Sequence, residues 1–409
     1  MTRVVVVGSG GREHALADVL SRTASEVIVT PGNPGIPGSV STPATDLDAD
    51  LFVIGPEVPL VAGLADDLRA QGKLVFGPGA DGAELEGSKA YMKDLLVAAG
   101  VPTAAHGSFT SASPAIEFLA TMQAPFVIKT DGLAAGKGVL VTEDRAEAEA
   151  AIHDYLSGEA FRDAGATVVI EEGLTGPEVS VFAICDGTKA VALTPAQDHK
   201  RIFDGDVGPN TGGMGAYTPL PWADPDLVDV IMRDAIEPTL AELGRRGIDY
   251  RGTLFAGLML TPDGPKMLEY NIRFGDPETQ VVLPRIESDL VELLSQAAAG
   301  NITMSPTFST DALATVVCAS EGYPASARTG DVIAGIESAR ALDGVSVYAA
   351  GVKTNDEGEL ITGGGRVLNI IGRGATMDEA ITRAYAGVAE IDWPGMQFRT
   401  DIAKQARES

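Results

Sequence analysis

Residues 266–278 read Lys266-Met267-Leu268-Glu269-Tyr270-Asn271-Ile272-Arg273-Phe274-Gly275-Asp276-Pro277-Glu278. The run 266–271 has the composition of a strand, and its period of two puts Glu269 and Asn271 on one face. A carboxylate and an amide oxygen are both hard donors, suited to a Mg2+ ion whose shell is completed by phosphate oxygens and water. Two polar residues on a solvated strand face would look the same. The next segment separates the two readings. Arg273, Asp276 and Glu278 place a guanidinium and two carboxylates beside an apolar strand, a charge density that suits a metal–phosphate cluster.

Three glycine-rich loops compete for a nucleotide. The loop Lys129-Thr130-Asp131-Gly132-Leu133-Ala134-Ala135-Gly136-Lys137-Gly138 resembles a Walker A motif at a glance. However, Gly132 to Gly136 is one residue too short, and Lys137 is followed by Gly138 in place of Ser or Thr. What remains is a turn between two strands with lysines at both ends. Its glycines let the backbone approach phosphate oxygens, and Lys129 at a strand end supplies a fixed charge. A surface hairpin with solvated lysines is the competing reading. The N-terminal turn Gly8-Ser9-Gly10-Gly11-Arg12-Glu13-His14 starts as G-x-G but has Glu13 where a dinucleotide fingerprint needs its third glycine. It is either a one-phosphate site at a helix N-terminus or a plain turn. The stretch 206–215 is too glycine-rich for a stable element and reads as a covering loop or an irregular connection. Just before it, Asp198-His199-Lys200-Arg201 offers both signs of charge. Glu171-Glu172-Gly173-Leu174, with Glu178 shortly after, ends a strand at an acidic hinge.

The bulk numbers bound what such a site can be. The chain has 409 residues, enough for two to four domains, since single cores stop growing at roughly 250–300 residues. With 30 basic and 57 acidic side chains the formal charge is −27, which repels nucleic acid and anionic lipid and excludes both as partners. It also repels ATP, so any nucleotide site must be locally positive or metal-assisted. Aromatic residues are only 5% while glycines number 48, which favours a loop-rich α/β protein over a β-sandwich. Cys185 and Cys318 each lie inside an apolar run and read as buried reduced thiols. The apolar run at the N-terminus is a first strand and not a signal peptide. No stretch approaches the ~20 apolar residues that span a bilayer, so a cytoplasmic protein is expected. There is no G-x-S-x-G, neither cysteine has a suitable neighbour, and the four histidines show no metal-ligand spacing. The chemistry expected is phosphoryl transfer driven by positioning and charge neutralisation.

Short apolar strands at Arg3–Val7, Val27–Val29, Leu51–Ile54 and Leu74–Phe76, with a helix over Pro59–Ala70, predict a doubly wound parallel sheet in residues 1–102. The Ser/Thr/Pro-rich stretch 101–114 marks a boundary. A middle unit over 103–308 follows, in which 117–185 forms a compact α+β piece of its own. Strands at Thr253–Leu260 and Lys266–Asn271 and a helix around 226–243 complete it. The remainder, 309–409, reads as a small, mostly β closing domain.

Several of these segments, in this order, resemble the ATP-grasp superfamily and, within it, the glycinamide ribonucleotide synthetase family of purine biosynthesis. The segments are GGREHA (10–15), VIGPEVPL (53–60), LEGSKAYMK (85–93), Lys129 with GLAAGKG, IEEGL (170–174), QDHKR (197–201), GPNTGGMGAY (208–217), LEYNIRFGDPET (268–279) and ITGGGRVL (361–368). The resemblance runs the whole length of the chain. It implies an α/β ATP-grasp fold and ligation of glycine to 5-phosphoribosylamine through glycyl phosphate, with ATP consumed. It implies that Lys89 and Lys129 hold ATP phosphates, that the loop with Gly132, Gly136, Lys137 and Gly138 closes over them, and that Glu171, Glu172 and Leu174 contact adenine. Glu178 would hold the ribose hydroxyls, and Glu269 and Asn271 would ligate Mg2+ or Mn2+. Arg273 and Asp276 fall where glycine and the acyl phosphate should lie. Gly8, Gly10 and Gly11, with Asp198 and Lys200, are the candidates for phosphoribosylamine. One departure concerns the metal: many ATP-grasp enzymes carry a further carboxylate on the preceding strand, whereas TLFAGLML (253–260) has none. A monomer, at most weakly dimerising, is expected. The rival readings are an ATP-grasp enzyme that activates formate or bicarbonate, a nicotinamide-dependent dehydrogenase, and a non-catalytic nucleotide sensor.

Overall fold

In the computed structural model, which describes residues 2–133, 138–158 and 167–407, the four valines of Arg3–Gly8 are buried on both faces. A strand apolar on both sides belongs in a parallel sheet covered by helices. Arg3–Gly8 pairs in parallel with Glu26–Pro31 on one side and Leu51–Ile54 on the other, and Val75–Phe76 extends the sheet in the same direction. The expected helix over Pro59–Ala70 is two pieces, Glu57–Val61 and Leu64–Ala70. Gly63 between them sits at φ +87°, a left-handed conformation that ends the first piece.

The piece expected at 117–185 begins earlier and ends sooner: its four-stranded antiparallel sheet joins His106–Phe109, Val168–Glu172, Phe126–Thr130 and Val139–Thr142, while Glu178–Asp186 belongs to the next sheet. Helices Ala112–Leu119 and Arg145–Leu156 back it, and Ile128, Ile152 and Ile170 share a core separate from the main one. The strand Arg251–Thr261 lies between Glu178–Asp186 and Gly264–Asn271, with Ala190–Ala192 at the edge. The expected strands there fall within a residue or two of the observed ones.

The closing unit is mostly β, its sheet backed by the helix Met377–Glu390. Its sheet runs Gln197–Asp198, Gly215–Thr218, Ala312–Ala319, Arg366–Gly374, Val345–Ala349, all antiparallel. Two of the five strands therefore come from the middle of the chain. Between them, residues 201–210 form a short hairpin, Arg201–Phe203 with Val207–Asn210, where no stable element was expected. Its stability comes from far away in sequence. Arg399, almost wholly buried, donates to Arg201 O at 3.1 Å and to Asp206 Oδ1 at 2.6 Å, and Gly205 N donates to Asp401 at 2.8 Å.

Two histidines tie the closing unit to the rest as acceptors. His14 Nδ1 receives the Ala349 N–H at 2.8 Å, and His199 Nε2 receives the Ala403 N–H at 3.1 Å. Both rings are therefore neutral in the fold. Burial, with Arg340 near one and Arg399 near the other, pushes each down to about 4. A base whose folded pKa is depressed takes up its proton more readily when unfolded, so the stability it lends is complete above about pH 6.5 and is lost as the pH falls toward 4. The loss expected is on the order of 3 kcal/mol per histidine. Denaturant unfolding of the intact chain between pH 7 and 4 should show it, and the double variant His14→Gln, His199→Gln should have a visibly shallower pH dependence over that window.

Candidate active site

The strand Gly264–Asn271 places Glu269 opposite Gly257 and Asn271 opposite Phe255, so the two oxygen donors share a face. Tyr270 and Ile272 point the other way into the core. The register slips between Gly257 and Leu258, which faces Met267, so Leu268 bulges out just ahead of Glu269. Bulges re-aim the side chains beside them. Burial alone would push the Glu269 carboxyl up, but Lys200, Lys129, Lys89 and Arg273 outweigh it and hold it below its ordinary value. Among the described residues no three His, Cys, Asp or Glu side chains form a metal cage. A half-buried ionised carboxylate beside an amide oxygen, with most of the coordination shell left open, fits Mg2+ or Mn2+ that shares its shell with phosphate oxygens and water.

The cations around Glu269 are individually held. Lys89 opens the helix Lys89–Ala99, which Ser88 caps by accepting the Tyr91 N–H. Asp131, at the start of the glycine loop, accepts from Ser88 Oγ at 3.1 Å and from Ala90 N at 3.2 Å, and Lys89 Nζ donates to Gly132 O at 2.9 Å. The loop is thus tied to that helix. Burial and the Lys129 cation keep the Lys89 ammonium below its ordinary range, opposed by Glu269. Lys129 lies 2.8 Å from Glu171, whose other oxygen meets Lys93 at 2.8 Å. Gly138 O accepts the Thr130 N–H at 2.8 Å and closes the turn, while Gly136 and Lys137 lie outside the described residues.

Arg273 forks between Glu57 at 3.2 Å and Glu86 at 2.9 Å, and Glu86 also accepts the Ile272 N–H at 2.9 Å. Against the cost of burial, the two carboxylates push the guanidinium up, so it stays charged. Asp276 accepts from Gln280 at 2.8 Å. Burial would raise its carboxyl, but Arg366 and Arg12 hold it low. Arg366 also donates to Asp276 O at 2.7 Å and to Gly212 O at 2.6 Å, and Gly212 N donates to Tyr323 Oη at 3.0 Å. The glycine loop is therefore pinned by residues of the closing unit.

Lys200 donates to Glu178 at 2.5 Å, and Ser180 donates to Glu278 at 3.2 Å. Burial pushes the Asp198 carboxyl up to about 7; Glu278 and Glu178 add to this and Lys200 opposes it. Of the hinge residues, Glu171 is consumed by the two lysines and Glu172 accepts the Ala105 N–H at 3.0 Å, while Leu174 stays half-buried. The N-terminal turn is partly filled: Glu13 accepts the Gly10 N–H at 2.6 Å and packs where any Cβ on Gly8 or Gly55 would stand. The missing third glycine is a carboxylate that braces the turn. A Cβ on Gly10 would lie 3.4 Å from Asp276 Oδ2, so the turn abuts the RFGDPE segment.

Lys89, Lys129, Lys200, Arg273 and Glu269 are thus brought together, and the N-terminal turn touches their rim. Glu57, Glu86, Lys93, Tyr323 and Arg366 were not singled out from sequence. Four of the five stand in motifs quoted there or beside them, and each is a charge set in an apolar or glycine-rich run. Tyr323 had no such signal.

A strand lysine on a two-helix unit, a glycine loop and a carboxylate–amide pair on a second sheet suit an ATP-dependent carboxylate–amine ligase of the ATP-grasp class. Models of the phosphoribosylglycinamide synthetase N domain, ATP-grasp (A) domain and C domain match residues 2–86, 87–279 and 313–405. The chain is 48% identical to a phosphoribosylamine–glycine ligase of Mesorhizobium japonicum over 98% of both chains. The crystal structure of a phosphoribosylamine–glycine ligase from Thermotoga maritima superposes with a TM-score of 0.88 at 33% identity, covering 98% of this chain and 99% of that one. A biotin carboxylase from Campylobacter jejuni shares the fold alone, at TM-score 0.71 and 14% identity over 97% and 93% of the two chains. This chain belongs to the phosphoribosylglycinamide synthetase family.

The Arg366 contacts make a prediction. Arg366→Met leaves the carbonyls of Gly212 and Asp276 without their donor, at a cost of about 1–3 kcal/mol. Limited proteolysis should then cut within 201–215 sooner than in the parent chain while the N-terminal sheet stays resistant.

Proposed function

We infer that this chain joins glycine to 5-phosphoribosylamine with consumption of ATP, giving glycinamide ribonucleotide, ADP and phosphate, a step of purine biosynthesis. The observation that carries the reading is the convergence of Lys89, Lys129, Lys200 and Arg273 on Glu269 in a chain of net charge −27. Such a pocket attracts polyphosphate and offers an acceptor face for its counter-ion. A glycine carboxylate oxygen attacks the γ-phosphorus and ADP leaves. The amine of phosphoribosylamine then attacks the carbonyl carbon of glycyl phosphate, phosphate leaves, and the nitrogen gives up a proton. Both nucleophiles are substrates, which accords with two buried thiols that burial pushes up out of the thiolate range.

Glu269 and Asn271 would hold Mg2+ or Mn2+, which when bound neutralises charge on the phosphate oxygens. We assign Lys89 and Lys129 to the ATP phosphates, with the loop from Gly132 to Gly138 covering them, and backbone groups of Glu171, Glu172 and Leu174 to adenine. Glu178, paired to Lys200, is assigned to the ribose. Arg273, held in its fork by Glu57 and Glu86, orients the glycine carboxylate, and Asp276 faces the glycine ammonium. Gly8, Gly10 and Gly11, with Asp198 and Lys200, receive phosphoribosylamine. The piece expected at 117–185 is assigned the closing motion, which the separate core of its part up to Glu172 supports. Among the described residues no helix is long and apolar enough to cross a membrane. We take the protein to act in the cytoplasm as a monomer on small molecules alone.

ADP release measured with each acid in turn tests the substrate: turnover should need glycine and ignore formate and bicarbonate. Turnover that follows formate instead would sink the reading. Glu269→Ala and Lys129→Ala should each lower glycine-dependent ADP formation by on the order of 10²–10³ while melting as the parent does. Undiminished rates in both would refute the site. Arg273→Lys keeps the charge but loses the planar fork, so it should raise the KM for glycine about tenfold and leave that for ATP in place.

A further inference from the structure

Lys93 lies one turn beyond Lys89 in the helix Lys89–Ala99, and its side chain is fully buried. An ammonium taken out of water is costly unless its donors are met. Lys93 Nζ meets Glu171 Oε2 at 2.8 Å and donates to Thr103 Oγ1 at 2.7 Å. Thr103 Oγ1 in turn donates to Met267 O at 2.7 Å. The other Glu171 oxygen meets Lys129 Nζ at 2.8 Å, and that ammonium reaches Leu268 O at 3.5 Å.

These contacts close a circuit: Met267, Thr103, Lys93, Glu171, Lys129 and Leu268. Its two ends are consecutive residues at the bulge that precedes Glu269. The charge count matters as much as the geometry. Were Glu171 paired with Lys129 alone, the two would neutralise each other. With Lys93 on the second oxygen, two ammonium groups share one carboxylate and the trio keeps a net positive charge. Although burial pushes the Lys93 ammonium down to about 8, it is still mostly charged at neutral pH.

We propose that Lys93 is a positioning residue for ATP, which through Glu171 fixes Lys129 and through Thr103 fixes the bulge that presents Glu269. The proposal rests on the assignment of Lys129 to the ATP phosphates.

The test uses the full chain, with binding of a non-hydrolysable ATP analogue and Mg2+ followed by calorimetry and steady-state KM values measured alongside. Lys93→Met, close in volume and uncharged, should weaken analogue binding and raise the KM for ATP by about tenfold, while the KM for glycine stays within about twofold. A merely structural lysine would move both constants or neither. Because Lys93 acts in part through Lys129, adding Lys93→Met to Lys129→Met should cost clearly less than the sum of the two single effects. If Lys129→Met leaves analogue binding unchanged, the site assignment itself fails. If Lys129→Met weakens binding but Lys93→Met does not, or if the two effects add in full, the positioning role is overturned and the site assignment stands. Should Lys93→Met not fold, Thr103→Val decides the matter. It removes only the hydroxyl link and should weaken analogue binding a few-fold with native melting, and unchanged binding would overturn the proposal.

Discussion

The constraint on which this structure turns is that four cations must stand around one half-buried carboxylate in a chain whose net charge is −27. Each comes from a different part of the chain. Lys89 opens the helix after the N-terminal sheet, Lys129 lies near the end of the strand Phe126–Thr130, Lys200 follows the short strand Gln197–Asp198, and Arg273 follows the strand Gly264–Asn271. Like charges brought together repel, so each needs a partner of its own beyond Glu269. Lys129 has Glu171, Lys200 has Glu178, Arg273 has Glu57 and Glu86, and Lys89 has the Gly132 carbonyl. These partners form a second ring of acceptors outside the first. Part of the acidity of the chain is therefore structural, the counter-charge that lets the cations cluster.

That second ring also explains why the units cannot be separated cleanly. Arg273 is held by Glu57 and Glu86 from the first hundred residues, and Asp276 by Arg366 from the last. Strands Gln197–Asp198 and Gly215–Thr218 complete the closing sheet, which fixes the loop between them to the RFGDPE segment. The closing unit thus forms one wall of the site.

Much of the candidate site's layout was legible because its signals are local. Glu269 and Asn271 needed only the strand period, and the parallel N-terminal sheet only its run of valines. The parts that were not legible depend on contacts distant in sequence. The bulge at Leu268 arises from pairing with Gly257 and Leu258 and leaves no mark in LEYN itself. The hairpin at 201–210 is stabilised by Arg399, nearly two hundred residues on. Glu13 read as a defect in a dinucleotide motif, whereas the space it fills is defined by Gly55, just past the neighbouring strand Leu51–Ile54. Glu171 was placed at adenine by resemblance, yet its carboxylate is spent on Lys93 and Lys129. Only tertiary structure reveals how a side chain's hydrogen bonds are used up.

The energetics say why such an arrangement persists. A buried ion pair recovers its desolvation only with excellent geometry, and an apolar replacement of equal volume often leaves a protein as stable or more so. Lys93 with Glu171 is a pair of this kind, and Arg273 with Glu86 is nearly so; both are weak stabilisers. What they supply is orientation. A flexible ammonium or guanidinium that had to be ordered on each turnover would spend binding energy on its own immobilisation, whereas one already fixed by a buried carboxylate does not. Stability is therefore given up at this cluster of charges, and the apolar cores beneath the four larger sheets make good the loss.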